Sequence, residues 1–361
     1  MTDDHSFSRA TGAGQAPDDG ETPHTEEALE ELLSRPSAEV VAAVGSLEGD
    51  FVVLGAGGKM GPSLARMLRR GLDACGGAKR RVWAVARFSE ERSRSVLDAA
   101  GIETIRGDLT DRDQVTRLPE AENVVFMAGQ KFGTSAAPEA TWAMNCYVPA
   151  LIAERYPRAR TAVFSTGCVY PQVPVVSGGS REGDLLEPVG DYASSCVGRE
   201  RLFGYFSRRN GTPVVFCRLN YAIDLRYGVL VDIATKVLAG EPVDVTMGFV
   251  NVIWQGDACA QAIRCLPYAS SPPFALNLTG PETLSVRALA HRFGELFGRE
   301  PRIVGQEAET ALLANASKAH ALFGYPSVPL ERMIEWAAHW LQSGGRTLGK
   351  PTHFETRDGK Y

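Results

Sequence analysis

Apolar residues in this chain fall into short unbroken runs separated by stretches of helical spacing. One such run, FVVL at 51–54, has four consecutive apolar residues and predicts a short buried strand. Glycines follow at 55, 58 and 61. A helical face then opens with Leu64, Met67, Leu68 and Leu72, with Pro62 in its first turn. The alternation recurs: residues 81–86 predict a second strand, 104–111 a third ending in Asp108-Leu109, and 123–128 a fourth ending in Gly129. A long helix is expected through Met144, Asn145 and Leu151, then strands at 161–165 and 213–217. Strands alternating with helices predict an α/β fold, a Rossmann-like doubly wound parallel sheet with right-handed crossovers.

Beyond Asn220 the rhythm changes. Helical stretches at 228–238, 256–265, 285–297, 309–323 and 330–341 mix with short strands at 243–246 and 274–278. This predicts a smaller α/β C-terminal substrate lobe laid over the strand ends. The expected division is an N-terminal extension at 1–45, a dinucleotide-binding domain at 46–225, and a substrate-binding lobe with a C-terminal tail at 226–361. Residues 1–22, rich in Asp, Gly, Thr and Pro, are expected to be disordered. TEEALEELL at 25–33 predicts a short acidic helix capped by Thr25, which could dock on the body or on a partner, with a solvated helix the preferred reading. The tail LGKPTHFETRDGKY is polar, but Pro351, His353 and Phe354 make it unlike a free end, and its role is unassigned. No repeat of 20 to 50 residues occurs.

Composition narrows the classes. The 361 residues are 44% hydrophobic and 22% charged, with a net charge of −5 and no basic block. Nucleic acid is therefore not an expected partner. No apolar run is long enough to span a membrane, and the acidic start is unlike a signal peptide, so the expected location is the cytoplasm. Seven scattered cysteines without a CxxC pair fit reduced thiols. The six histidines show no metal-ligand spacing.

Strand, glycine turn and helix start together form an anion site. Gly55, Gly58 and Gly61 let the backbone turn and approach a pyrophosphate beside Lys59 and Met60, and N–H groups at the helix start bind it. The second strand's end would face the adenosine ribose. An acid there suits a free 2′-hydroxyl, whereas an arginine suits a 2′-phosphate. The chain has Ala86 and Arg87 there, with Lys59 expected close by, so NADP is preferred over NAD.

FSTGCVYP at 164–171 and DYASSCVGRE at 191–200 add the chemistry. With the glycine turn they resemble the extended short-chain dehydrogenase/reductases of the NAD-dependent epimerase/dehydratase family. The family pattern is a strand ending Ser-Ser/Thr-x-x-Val-Tyr/Phe, then Tyr-x-x-x-Lys with a Glu four residues later. Ser165, Thr166, Val169, Tyr170, Tyr192 and Glu200 match it. The resemblance extends to Gly107-Asp108-Leu109, Asn145, Arg218 with Asn220, and NLTGPETLSV at 277–286, covering about residues 50–300. It implies a cofactor-facing set with Asp108, Leu109, Ala128, Gly129, Asn145 and Tyr192. It implies Tyr192 as acid/base, Thr166 holding the same substrate oxygen, and hydride exchange with a nicotinamide. Helices carrying Asn145 and Tyr192 commonly form a four-helix dimer interface in this family. A homodimer through Met144, Tyr147, Leu151, Val197 and Leu202 is the expectation.

The departure is at position 196, where Cys replaces the motif's Lys. That lysine would lower the tyrosine pKa and bind the nicotinamide ribose. Three readings stand. Another cation substitutes: Lys131 in GQKFG, or Arg199, seven residues after Tyr192. The chemistry uses a less basic tyrosine, as in proton donation or elimination. Or the site has lost its chemistry and binds nucleotide alone, as a regulator. The candidate catalytic set is Tyr192, Thr166, Cys196 and Lys131, and the candidate substrate set is Thr166, Asn220 and Arg226. The expected activity is oxidation, epimerisation or dehydration of a sugar-like or nucleotide-sugar substrate. No arginine precedes Phe249, which weakens the argument for a diphosphate clamp.

Overall fold

The computed structural model describes residues 22–89 and 91–360. The expected disorder of the N-terminal end falls almost entirely outside these residues. A parallel seven-stranded sheet forms the centre, ordered Phe274–Leu278, Val214–Leu219, Arg160–Thr166, Asn123–Phe126, Phe51–Leu54, Val82–Ala86, Glu103–Arg106. Phe51–Leu54 is buried at every position, because helices cover both faces of a parallel sheet and leave no polar side. In register, Val53 lies between Ala84 and Val125. Strand order reverses at Phe51–Leu54, so the crevice at its carboxyl end is the fold's natural ligand position.

The strand Phe274–Leu278 pairs in parallel with Val214–Leu219. It belongs to the main sheet, not to the smaller lobe where its sequence position suggested. The helix Gln255–Cys265 likewise packs against the main body, with Cys259, Ala262 and Ile263 in the core that holds Phe51 and Val53. The smaller lobe is centred on the helices Val229–Ala239, Val286–Phe297 and Leu330–Gln342 around Trp254 and Trp336. The helix expected over 309–323 is confined to Ser317–Phe323. Before it, Thr310–Ala311 pairs with Val173–Pro174, just past the FSTGCVYP segment.

The N-terminal extension is docked, not solvated. Thr25 Oγ1 accepts from Ala28 N and starts the helix Glu26–Leu33, as expected. Its apolar face then buries Leu29 and Leu33 completely against the smaller lobe. A second helix, Ala38–Gly45, follows with Ser37 accepting from Val40 N, and buries Val40 and Val44. Its run AEVVAAVG did not stand out in the sequence. Among the described residues no helix is long and apolar enough to cross a membrane.

Candidate active site

The glycine turn leaves the first strand at its carboxyl end. Gly55 has φ +90°, and a Cβ there would lie 2.5 Å from Ala128 N, so turn and fourth strand touch backbone to backbone. A Cβ on Gly61 would lie 2.4 Å from Ala56 O. Gly58 differs: it is exposed, and a Cβ would meet nothing of the protein closer than 3.4 Å. Its missing side chain opens the outer face of the turn, as a bound pyrophosphate requires. The helix Gly61–Ala74 has no side-chain cap and no acidic residue in its first turn. These features fit a dinucleotide, whose phosphates would cap that helix. Beyond the second and third strands a cavity of about 290 Å³ is lined by Val85, Gly107, Asp108, Leu109 and Gln114, among others. Asp108 is held below the usual carboxylate range by the Thr110 N–H and hydroxyl, with a contribution from Arg87. Arg87 is exposed at the end of the second strand.

Lys59 is not beside Arg87. Its ammonium donates to Ala222 O at 2.7 Å and stands 4.2 Å from the centre of the Tyr227 ring. The turn points this side chain across the crevice to the Ala222–Tyr227 stretch, where burial lowers its pKa to about 8. Arg226 is also turned away from the expected role. Its guanidinium is clasped by Asp224 Oδ2 at 2.8 Å and Glu30 Oε1 at 2.7 Å. Glu30 comes from the docked N-terminal helix and also accepts from Ser63 in the glycine helix at 3.1 Å. These groups form a polar seam between the two lobes.

Tyr192 and Cys196 lie on the helix Gly190–Asn210, which packs over the ends of the strands. Thr166 ends the strand Arg160–Thr166, and its Oγ1 accepts from Cys168 N at 3.1 Å. The Thr166 side chain is also hydrogen-bonded to Tyr192, which favours the phenolate. Burial, followed by the neighbouring thiols Cys196 and Cys168, outweighs this and raises the Tyr192 pKa well above its ordinary value. Cys196 is fully buried, and burial pushes its thiol up to about 11, so it supplies no charge at neutral pH.

Two cations approach this pair, and both were named from the sequence. Lys131 Nζ lies 5.9 Å from the centre of the Tyr192 ring and donates to Thr352 O at 3.0 Å. Arg199 is buried beneath, where Nη1 donates to Phe164 O at 2.6 Å and Nη2 to Asn145 Oδ1 at 2.7 Å. Its charge acts to lower the pKa of both Tyr192 and Cys196. Asn145 lies in a π-helical turn, Ala143–Tyr147, within an otherwise α-helical segment. The bulge directs its amide inward: Nδ2 donates to Gln130 O and Ser195 Oγ, and Oδ1 also accepts from Gln130 N. A Cβ on Gly129 would collide with Arg199 Nη2 at 2.6 Å.

Behind the site, Glu200 forms a buried bidentate pair with Arg218, at 3.0 and 2.7 Å, and accepts from Ser165 Oγ at 2.6 Å. Arg218 continues to Tyr170 Oη at 2.7 Å. The matching motif residues Ser165, Tyr170, Glu200 and Arg218 therefore lock strands to helix and leave Thr166 and Tyr192 to face the crevice. Asn220 is 2% exposed, and its Nδ2 has no hydrogen-bond partner. It lies against Gly167, where a Cβ would be 2.9 Å from Asn220 Oδ1. An unsatisfied buried amide this close to Thr166 is a donor awaiting an acceptor. The sequence reading overlooked Tyr221, a non-glycine residue at φ +46° whose buried phenol is near Cys168. Its only signal was its position after Asn220.

Residues 51–226 match the sequence profile of the NAD dependent epimerase/dehydratase family. No curated protein matches the sequence. Among solved structures the chain is similar to the Thermus thermophilus UDP-glucose 4-epimerase complex with NAD. Identity is 19% and the TM-score 0.66, over 81% of this chain and 99% of that one. It is also similar to the Bacillus cereus UDP-glucuronic acid 4-epimerase in complex with UDP-glucuronic acid and NAD. There the identity is 16% and the TM-score 0.67, over 81% and 99% of the two chains. A third is an epimerase from the methanogen Methanothermobacter thermautotrophicus, 18% identical with a TM-score of 0.68, over 86% and 97%. At these identities the likeness establishes the fold, and the family rests on the profile together with the ordered motifs inside it. Residues 51–226, which hold the glycine turn, Thr166 and Tyr192, belong to the NAD dependent epimerase/dehydratase family of enzymes.

Proposed function

We propose that this chain is an NAD(P)-dependent oxidoreductase, epimerase or dehydratase acting on a sugar-like or nucleotide-sugar substrate, with Tyr192 as its acid/base. The observation that carries the proposal is the Thr166–Tyr192 hydrogen bond beside the Lys131 ammonium, at the crevice where the glycine turn opens. The glycine turn and helix start would hold the pyrophosphate, Asp108 and Leu109 the adenosine, and Ala128, Gly129 and Asn145 the far end. Bound there, the nicotinamide supplies the hydride acceptor or donor.

The remaining steps belong to the chain's own groups. Tyr192 holds a proton at Oη and passes it to, or takes it from, the substrate oxygen. Thr166 holds that same oxygen in place. Asn220 Nδ2 offers a hydrogen bond to a second substrate oxygen. With its pKa raised, Tyr192 is a phenol at neutral pH and starts as a proton donor, the state that reduction of a carbonyl requires. Lys131 and Arg199 place positive charge where the motif's lysine would. Arg87 favours NADP over NAD, and with Lys59 turned away it carries that preference alone.

The three solved neighbours are all epimerases, and two of them are a UDP-glucose 4-epimerase and a UDP-glucuronic acid 4-epimerase. In this chain Arg226 is committed to Asp224 and Glu30, so it does not serve a diphosphate. We favour assembly as a homodimer through the Asn145 and Tyr192 helices, where Tyr147 is 44% exposed and Leu151, 3% exposed, packs inward. A monomer by light scattering at micromolar concentration would reject that assembly. The buried, uncharged Cys196 favours a second reading, a nucleotide-binding regulator without turnover. The Tyr192→Phe variant separates the two. Under the enzymatic reading it loses turnover on a panel of UDP-sugars, free sugars and sugar acids while still binding NAD(P)H. A wild-type protein that binds the nucleotide and turns over none of the panel supports the regulator.

A further inference from the structure

The C-terminal segment has no part in the activity as described so far, yet it lies across the active site. Phe354 is 2% exposed in the core of the substrate lobe. On one side of it Thr352 reaches Lys131. On the other, Arg357 donates to Thr310 O and Oγ1 at 2.8 and 2.7 Å, and its own carbonyl accepts from Gln172 Nε2 at 2.9 Å. Gly359 then packs against Val189 and Gly190, the start of the helix that carries Tyr192: a Cβ on Gly190 would lie 2.5 Å from Gly359 O. The segment therefore bridges the Lys131 loop and the tyrosine helix.

The geometry points to Thr352 as the positioning residue for the cation that serves Tyr192. This rests on the reading above, in which Lys131 stands in for the lysine absent at position 196. The Thr352 carbonyl accepts from Lys131 Nζ at 3.0 Å, and the residue's other two polar groups are both fixed. Its N–H and its hydroxyl donate to the same oxygen, Asp232 Oδ2, at 2.8 and 2.6 Å. A carbonyl on a tail held only by solvent would direct nothing. Here one carboxylate on the helix Val229–Ala239 sets the peptide's orientation, and the peptide sets the ammonium's. Phe132, next to Lys131, meets His353, next to Thr352, with ring centres 6.2 Å apart, so loop and segment touch at two adjacent positions. Around Lys131 stand the thiols of Cys168 and Cys196, the carboxylates of Asp232 and Glu355, and the Tyr192 ring. Of these, only Asp232 also holds Thr352. Asp232 is therefore the anchor, Thr352 the positioning residue, and Lys131 the group they aim.

The test needs no substrate. In the full chain labelled with ¹⁵N-lysine, the Lys131 ammonium should give a protected side-chain NMR signal, identified by its loss in Lys131→Met. Thr352→Val keeps the carbonyl and the shape but removes the hydroxyl, with its bond to Asp232 Oδ2 and the one it accepts from Phe354 N. It should shift or abolish that signal, Thr352→Ser should restore it, and Asp232→Asn should reproduce the loss. The same samples labelled with ¹³Cζ-tyrosine report on Tyr192, assigned through Tyr192→Phe. Thr352→Val should move the Tyr192 resonance in the direction that Lys131→Met moves it. An unchanged Lys131 signal in both folded variants, Thr352→Val and Asp232→Asn, overturns the positioning role. A Lys131 signal that responds, with a Tyr192 resonance indifferent to Lys131→Met, keeps the segment's hold on Lys131 and rejects Lys131 as the cation serving Tyr192.

Discussion

Arg199 Nη2 donates to Asn145 Oδ1 at 2.7 Å, and this bond joins the two helices that enclose the tyrosine. The guanidinium lies one helical turn beyond the position of the missing lysine, among neutral acceptors, with Nε unpartnered. Burying a charge on such terms is unfavourable for folding.

Replacing Arg199 should therefore affect chemistry more than stability. In Arg199→Met the buried acceptors lose a donor, at about 1–3 kcal/mol, while relief of the buried charge offsets part of that loss. Tyr192 loses the cation that lowers its pKa. Arg199→Lys keeps the charge but cannot reach both Phe164 O and Asn145 Oδ1. Its activity at alkaline pH should therefore exceed that of Arg199→Met. Identical pH–rate profiles for the two variants would show that the charge has no role.

Lys59 makes a prediction about stability. Burial lowers its pKa from 10.5 in the unfolded chain to about 8 in the fold. Between those values the folded protein binds fewer protons, so stability rises with pH across that window. The penalty is fully present below about pH 8 and is relieved as the pH approaches 10.5, and it amounts to at most about 3–4 kcal/mol. Lys59→Met gives up the bond to Ala222 O, worth about 1 kcal/mol. It should nevertheless match or exceed wild-type stability at pH 7 and flatten the rise between pH 8 and 10. Urea unfolding at pH 7, 8.5 and 10 checks this, and parallel wild-type and variant curves would contradict it.

Period and motif made the nucleotide-binding half readable. FVVL is buried on both faces, so its hydrophobic run marks a strand without ambiguity, and the glycine spacing fixes the turn that follows. Thr166 and Tyr192 were legible because their neighbours Ser165, Tyr170 and Glu200 form one packed network whose parts recur in order. What could not be read was direction. Lys59 and Arg226 have the residue types that a phosphate site needs, but a side chain's aim depends on partners far away in sequence, Ala222 for one and Glu30 for the other. Phe274–Leu278 was recognisable as a strand, but not as a member of the main sheet, because its partner is 59 residues upstream by the register of Leu276 with Cys217. The docked N-terminal helix looked solvated because only Leu29 and Leu33, on one narrow face, are fully buried.

The proposed preference for NADP rests on Arg87 alone. Arg87→Ala should weaken NADP(H) by about 1.5–3 kcal/mol, the usual range for one charge-assisted contact, or roughly tenfold to a hundredfold. NAD(H) affinity should hold, because it lacks the 2′-phosphate. Fluorescence titration with NADPH and NADH reads both, and equal losses for the two nucleotides would place Arg87 elsewhere than at the 2′ position.

The tyrosine itself gives the sharpest pH test. Its pKa is raised by burial first and by the thiols second, so the phenol is protonated throughout the neutral range. A step that needs the acid form should be flat across neutral pH and fall only as the pH rises through the raised pKa. A step that needs the phenolate should climb over the same interval. Cys196→Lys replaces a neutral thiol, four residues from Tyr192, with the motif's cation. Both limbs should then move to lower pH, with the larger gain in the direction that begins from the phenolate. The new ammonium would stand close to Lys131 and Arg199, and repulsion between like charges should lower its own pKa and limit the shift. Combining Cys196→Lys with Lys131→Met removes one competitor. If Lys131 supplies what position 196 lacks, the double variant should recover most of the activity that Lys131→Met loses. Failure of this rescue in a folded, nucleotide-binding double variant would show that the two cations are not interchangeable at Tyr192.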